Sequence, residues 1–258
     1  MKTQTENQLF GTSIVAMSTA WEEESCVQEV FEVVEAIERC KYTCRLMSLN
    51  TQRLSGHACD PVLKMADILA FSETWADHVE IEGFTSIAAA KRDKVLAAGV
   101  SILQKNSATT MAVPHTIRKV HHHDIELGLS DDYGDTCAAE ITIMQRRALL
   151  ICIYISPGTT SKQKKYFMTR NFFHYQTETM PMIVVGNFNH DLTKEENIEF
   201  ADFLEKFYKL KLSSDPAKAA SLDGSCVDLT FTRNIRVESR SYGSCQYHHR
   251  PILSVLEF

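Results

Sequence analysis

The sequence predicts an α/β domain, and three observations carry that reading. Apolar runs of strand length recur along the chain, and several end abruptly on a polar residue, as at Asn50, Glu73 and Asn187. Between them lie stretches whose apolar residues fall at helical spacing. With only 10 Gly and 6 Pro in 258 residues there is no linker, low-complexity run or fixed-period repeat to divide the chain, so one large domain is a simpler organisation than two small ones.

The stretch 181–192 organises the rest. Met182, Ile183, Val184 and Val185 form an apolar run that suits a strand covered on both faces. Gly186, Asn187, Asn189, His190 and Asp191 follow it at once. In an open α/β sheet such strand ends are where ligands bind. Read alone, Gly186-Asn187-Phe188-Asn189 is equally an ordinary turn, because Gly and Asn are common turn residues.

From the start of the chain, Thr19 and Glu22 make a capping-box signature ahead of Val27, Val30, Phe31, Val34 and Ile37 at helical spacing. This acidic helix either packs on the domain or serves a partner. Residues 42–50 read as a strand ending on Asn50, residues 61–65 as a helical turn, and residues 67–71 as a buried strand with Glu73 at its tip. Alone, Glu73 reads as a solvated loop residue. Residues 84–89 and 99–104 read as an antiparallel pair joined by a basic loop holding Lys91, Arg92 and Lys94. His121, His122 and His123 stand out, but neighbours on a strand point to opposite faces and cannot all ligate one ion.

Residues 138–144 and 149–155 form the clearest hairpin, with its turn at Gln145-Arg146-Arg147 and Tyr154 delivered to the far end. Ser161 is the expected cap of a helix that carries Lys162, Lys164 and Lys165 and buries Tyr166, Phe167 and Phe172 or Phe173. Residues 195–208 are expected as a second helix with Ile198, Phe200, Phe203, Leu204 and Phe207 inward. Residues 225–232 read as a strand with Asp228 at its middle, and a buried Asp needs a partner. His248 and His249, just before a closing strand, supply the candidate.

The formal charge of −6 is uneven: residues 1–40 hold eight Glu against Lys2 and Arg39, leaving the remainder balanced. A nucleic-acid surface would therefore be a local patch, such as Lys162, Lys164, Lys165, Arg233, Arg236 and Arg240, and clusters of this size are commonly just solvated. The eight Cys include no Cys-x-x-Cys pair, which fits free thiols in a reducing compartment better than a zinc site on Cys40 and Cys44. The first residues lack a signal-peptide pattern and no stretch approaches roughly 18 apolar residues, so an intracellular, soluble protein with no membrane partner is expected.

The series Asn50, Glu73, Tyr154, Asn187-Phe188-Asn189, Asp228, His249 resembles the endonuclease/exonuclease/phosphatase superfamily, which includes abasic-site endonucleases, deoxyribonuclease I and the endonuclease domains of non-LTR retrotransposons. The strongest pieces are residues 69–75, the Gly186-Asn187-Phe188-Asn189 turn, residues 227–231 and His249-Arg250-Pro251-Ile252, and the wording is most similar to domains of retrotransposon and Helitron-like mobile elements. The resemblance covers roughly residues 43–258 and leaves residues 1–40 as an acidic extension.

It implies an α/β/β/α sandwich of two mixed β-sheets flanked by helices, acting in the nucleus on DNA or RNA as part of a larger mobile-element protein. It further implies metal-dependent phosphodiester hydrolysis by in-line attack of water. Glu73, Asn50 and His248 would hold Mg²⁺ or Mn²⁺, Asn189 and Tyr154 would position the phosphate, and Asp228 would orient His249.

Two positions depart from the family pattern. Asn187 stands where the family has the Asp that activates water, and His248 where it has another Asp. An amide takes no proton near neutral pH, a loss of about 10²–10⁴ in rate, and a lost metal-side carboxylate costs about 10–100-fold. The alternative these departures carry is a catalytically inactive nucleic-acid-binding or interaction module of the same fold.

Overall fold

Two six-stranded mixed sheets pack face to face in a computed structural model that describes residues 44–53, 63–93, 95–115, 133–172, 179–215, 224–242 and 248–257. The acidic helix expected near residues 19–37, Cys40, Lys94 and the His121–His123 run lie outside the described residues.

The first sheet contains β1 (Cys44–Asn50), β2 (Ile68–Ser72), β3 (Phe84–Ala90), β4 (Val100–Lys105), β11 (Arg236–Ser241) and β12 (Ile252–Glu257), in the order β11-β12-β1-β2-β4-β3. The second contains β5 (Met111–His115), β6 (Gly134–Ile143), β7 (Arg146–Ile155), β8 (Met182–Asn187), β9 (Lys211–Leu212) and β10 (Asp228–Arg233), in the order β5-β6-β7-β8-β10-β9. Each sheet is antiparallel apart from one parallel pair, β1 with β2 and β7 with β8. Those four strands therefore point their C-terminal ends in matched pairs, and there the polar tips collect.

Alternation along the strands builds three apolar layers. Leu46, Ile68, Ala70 and Ile102 meet Ile141, Leu150, Cys152 and Val185 between the sheets. On the outer face of the second sheet, Leu149, Ile151, Met182 and Val184 pack against α1 (Ser161–Phe172) and α2 (Ile198–Tyr208). Among the described residues, the outer face of the first sheet is covered by a 3₁₀ turn at Leu63–Met65 with Val79, Ile81 and Tyr242. No described helix is long and apolar enough to cross a membrane. The four described thiols, Cys44, Cys137, Cys152 and Cys226, are free and buried.

Several local expectations are corrected. The hairpin turns at Met144-Gln145, both in the left-handed region with φ of 48° and 67°, so Arg146 and Arg147 already belong to β7. Two consecutive positive φ angles suit the right-handed strand twist, and the absence of Asn or Gly hid this turn. The cap of α1 is Thr160, not Ser161: its N–H donates to Gln163 Oε1 (2.9 Å) and its hydroxyl accepts from the Gln163 N–H (3.3 Å). In α2 the buried stripe is Phe200, Leu204 and Tyr208, while Ile198 and Phe207 are 47% and 45% exposed. An 11-residue helix is marginal on its own. Burial of Phe200 and Leu204, about 1.5–3 kcal/mol each, is what fixes it to the sheet.

Asp228 opens β10 instead of sitting at its middle. It pairs with Asn187, the last residue of β8, and one step on the Phe188 N–H donates to the Val227 carbonyl (2.9 Å). Two strand ends are thus brought level.

Candidate active site

Parallel pairing of β1 with β2 places Asn50 beside Ser72, so Glu73 emerges directly next to Asn50. Asn50 Nδ2 donates to Glu73 Oε1 (3.0 Å). The Thr51 N–H and hydroxyl hold the Ser72 and Glu73 carbonyls at 2.9 and 3.1 Å. Glu73 is in the left-handed region (φ 52°), a conformation sustained by these surroundings.

Because β12 runs antiparallel to β1, His249, three residues ahead of β12, returns to the same end. Its Nδ1 lies 2.5 Å from Asp228 Oδ2, the bond expected of this pair, and joins the first sheet's end to the second's. Its Nε2 faces the amide nitrogens of Gln52 (3.1 Å) and Asn50 (3.4 Å). Both are donors only, so Nε2 is the acceptor and the proton sits on Nδ1. An unbroken chain of polar contacts therefore runs Asp228, His249, Asn50, Glu73.

Tyr154 comes to Glu73 from β7. Burial, and after it the Glu73 carboxylate that accepts its hydrogen bond, push the phenol well above its ordinary range, so it stays a donor. Gly186 accounts for how β8 can lie where it does. It sits opposite Ile153 at φ 130°, and a Cβ there would stand 2.0 Å from the Ile153 carbonyl oxygen. The following turn is closed by Asn187 Oδ1, which accepts the Asn189 N–H (2.8 Å), and by Phe188, whose ring packs edge-on to Phe231 at 5.3 Å. Asn189 (φ 46°) donates Nδ2 to the Ile155 carbonyl (2.7 Å).

Beneath this turn, Lys164 is 3% exposed; its Nζ donates to the Asn189 carbonyl and lies 3.3 Å from His190 Nδ1. Burial lowers the Lys164 ammonium to about 8. Burial, with Lys164 second, lowers the His190 imidazole to about 4, and its Nε2 approaches the Asn197 carbonyl at 3.0 Å. Lys164 was expected on a nucleic-acid surface; the structure makes it an internal tie. Arg233 is corrected likewise: it is buried, with its guanidinium donating to the Met180 and Tyr208 carbonyls. Lys165 pairs with Glu199, Arg236 with Glu257 and Arg240 with Glu238, while Lys162 is exposed.

No protein-family model and no curated protein sequence matches the chain. Solved structures do. The endonuclease domain of TRAS1, a telomere-specific non-LTR retrotransposon, superposes with a TM-score of 0.61 at 12% identity over 83% of this chain and 98% of that one. The human Nocturnin catalytic domain with bound sulfate anion gives 0.59 at 12% identity, over 84% and 94%. An endonuclease/exonuclease/phosphatase from Bacteroides vulgatus gives 0.56 at 12%, over 84% and 100%. This chain has the endonuclease/exonuclease/phosphatase fold.

Proteins of this fold imply a divalent cation, and the donor chemistry at the site can be set against that. Among the described residues there is no group of three or more His, Cys, Asp or Glu side chains arranged to hold a metal. The Glu73 carboxylate is a smaller donor set that fits Mg²⁺, which keeps several waters and is held by one or two carboxylates together with substrate phosphate. Asn50 turns its Nδ2 to Glu73, and its Oδ1, which accepts the Gln52 N–H (3.2 Å), is the atom that can ligate. His248 is exposed and enters no such group. Sequence reasoning gave Asp135 and His190 no role of their own; a carboxylate two residues after a tyrosine and an imidazole inside a turn carry no periodic signal.

Proposed function

We propose that the chain is a phosphodiesterase of endonuclease type that hydrolyses DNA by in-line attack of water. The observation that carries this is the Asp228–His249 bond with Nε2 turned toward Asn50 and Glu73, a constellation gathered from the ends of both sheets. Similarity to the endonuclease domain of a telomere-specific non-LTR retrotransposon supports DNA as the substrate; action in the nucleus within a larger mobile-element protein is part of the same proposal.

In this reading Glu73, with Asn50 contributing through its Oδ1, would hold Mg²⁺ or Mn²⁺, which would supply charge neutralisation at the phosphate. His249, kept unprotonated at Nε2 by the tautomer that Asp228 selects, takes the proton from the attacking water. Asp228 stabilises the imidazolium so formed. Tyr154, turned from Glu73, and the Asn189 Nδ2 hydrogen not given to the Ile155 carbonyl donate to phosphate oxygens as negative charge develops on them. Asn187 takes no proton; it holds the turn.

A second reading, a non-catalytic nucleic-acid-binding or interaction module, is favoured by Asn187 itself, since a carboxamide at that strand end cannot act as a base near neutral pH. Plasmid nicking over a range of Mg²⁺ and Mn²⁺ concentrations, with His249→Ala purified in parallel, separates the two. Metal-dependent nicking that His249→Ala lacks is the expected result. Equal nicking by both proteins, or none by either, removes the enzymatic reading, and DNA-binding anisotropy then tests the second.

A further inference from the structure

Asp135, in β6, is 4% exposed and lies directly across the β6–β7 pair from Tyr154. Its carboxylate accepts three hydrogen bonds, all from the connection between β3 and β4. Oδ1 takes the Arg92 backbone N–H (2.8 Å) and Arg92 Nε (3.2 Å); Oδ2 takes the Gly99 N–H (3.1 Å). These two donors lead to different halves of the site. The Arg92 guanidinium stands 5.8 Å from the Tyr154 ring centroid. The Gly99 carbonyl accepts the Thr74 N–H (3.3 Å) and the Ala98 carbonyl the Trp75 N–H (2.9 Å), so the same connection seats the turn that presents Glu73. That turn needs holding, because Glu73 and Trp75 both have positive φ, 52° and 54°. The contact is also close: a Cβ on Gly99 (φ 108°) would stand 2.4 Å from Thr74 Oγ1.

We propose that Asp135 is a positioning residue that sets Tyr154 and the Glu73 turn in register, acting through Arg92 and Gly99. It must be a carboxylate. Both of its oxygens accept from N–H groups, so an Asn would point its own NH₂ at a donor whichever way it turned, leaving a buried clash of donors. Asp135 touches no reacting group; its contacts are with the elements that carry them. A displacement of about 1 Å at such elements costs about 10²-fold in rate.

The test uses Asp135→Asn, alone and with Tyr154→Phe, in a Trp21→Phe background where Trp75 is the sole tryptophan. The rate arm rests on the phosphodiesterase reading; the fluorescence arm does not. Asp135→Asn should lower kcat for nicking about 10–100-fold at similar KM, and by a smaller factor in the Tyr154→Phe background, where only the Glu73 turn is left to displace. Acrylamide quenching of Trp75 should rise about twofold while the far-UV spectrum is unchanged. An equal factor in both Tyr154 backgrounds, or unaltered quenching, overturns the proposal. If no protein nicks DNA, the function assigned above has failed and quenching alone decides this inference.

Should Asp135→Asn not fold, Arg92→Met removes only the Tyr154 branch. It should move the Tyr154 resonance in protein labelled with ¹³C-tyrosine, identified by its absence in Tyr154→Phe, and leave Trp75 quenching at the wild-type value. An unmoved resonance overturns the proposal.

Discussion

Asn187 and Asp228 face each other at the end of the β8–β10 ladder, and each retains one buried polar atom, Asn187 Nδ2 and Asp228 Oδ1, without a hydrogen-bond partner among the described residues. Directly opposed residues of an antiparallel pair share a face, so a donor and an acceptor are presented side by side next to His249. Unpaired buried groups of this kind are costly and mark places where a substrate or water completes the site.

Asn187→Asp keeps an oxygen for the Asn189 N–H and supplies a proton acceptor, so nicking should rise at least about tenfold with DNA affinity unchanged. The new carboxylate would oppose Asp228, and like charges so placed raise one pKa of the pair. The gain should therefore grow as pH is raised from about 6 to 8, as read from nicking rates across that range. A gain independent of pH would mean that the two carboxylates do not interact.

Asp228→Asn should leave stability within about 1 kcal/mol yet reduce nicking about 10²–10⁴-fold, because an amide no longer selects the Nδ1–H tautomer of His249. Asp228→Ala should do the same to activity and also destabilise the fold by roughly 1–3 kcal/mol through the orphaned imidazole. Urea unfolding beside nicking distinguishes the two variants.

His190 makes stability pH-dependent on the acid side. Its folded value of about 4 lies below the ordinary 6.5, so the unfolded chain binds more protons between those values. The associated stability, on the order of 3 kcal/mol, is complete above pH 6.5 and is lost as pH falls through 4. His190→Gln should flatten this limb of the urea-unfolding profile.

Lys164 acts on the alkaline side with a slope of the same sign. Its folded value of about 8 against 10.5 means that the unfolded chain again binds more protons in that window, so stability rises from pH 8 to 10.5. Lys164→Met should remove the rise. A wild-type profile flat over that window would show that the ammonium is not held in its buried position.

Gly186→Ala should destabilise the protein by at least about 3 kcal/mol, since backbone, not a movable side chain, occupies the space its Cβ would enter. A thermal melt within two degrees of wild type would contradict the close approach of β7 and β8.

The strands other than β5, β9 and β11, and the residues at their tips, were legible in the sequence by itself. Apolar runs such as 182–185 and 68–71, each ending on a polar residue, are properties of contiguous segments, and burial on both faces follows from them. The need of a buried Asp for a partner, together with the family resemblance carried by Asn50, Glu73, Tyr154, Asn187, Asp228 and His249, also sufficed to foresee the Asp228–His249 bond. Only the tertiary structure decided which charged side chains turn inward. Arg233 is satisfied by carbonyls 53 and 25 positions away, Asp135 by N–H groups 43 and 36 positions away, and Lys164 by Asn189, 25 positions on. A lysine or arginine on a helix or strand reads locally as a surface residue; its burial depends on distant backbone groups left unpaired where chain segments end, and no local periodicity records where those groups arrive.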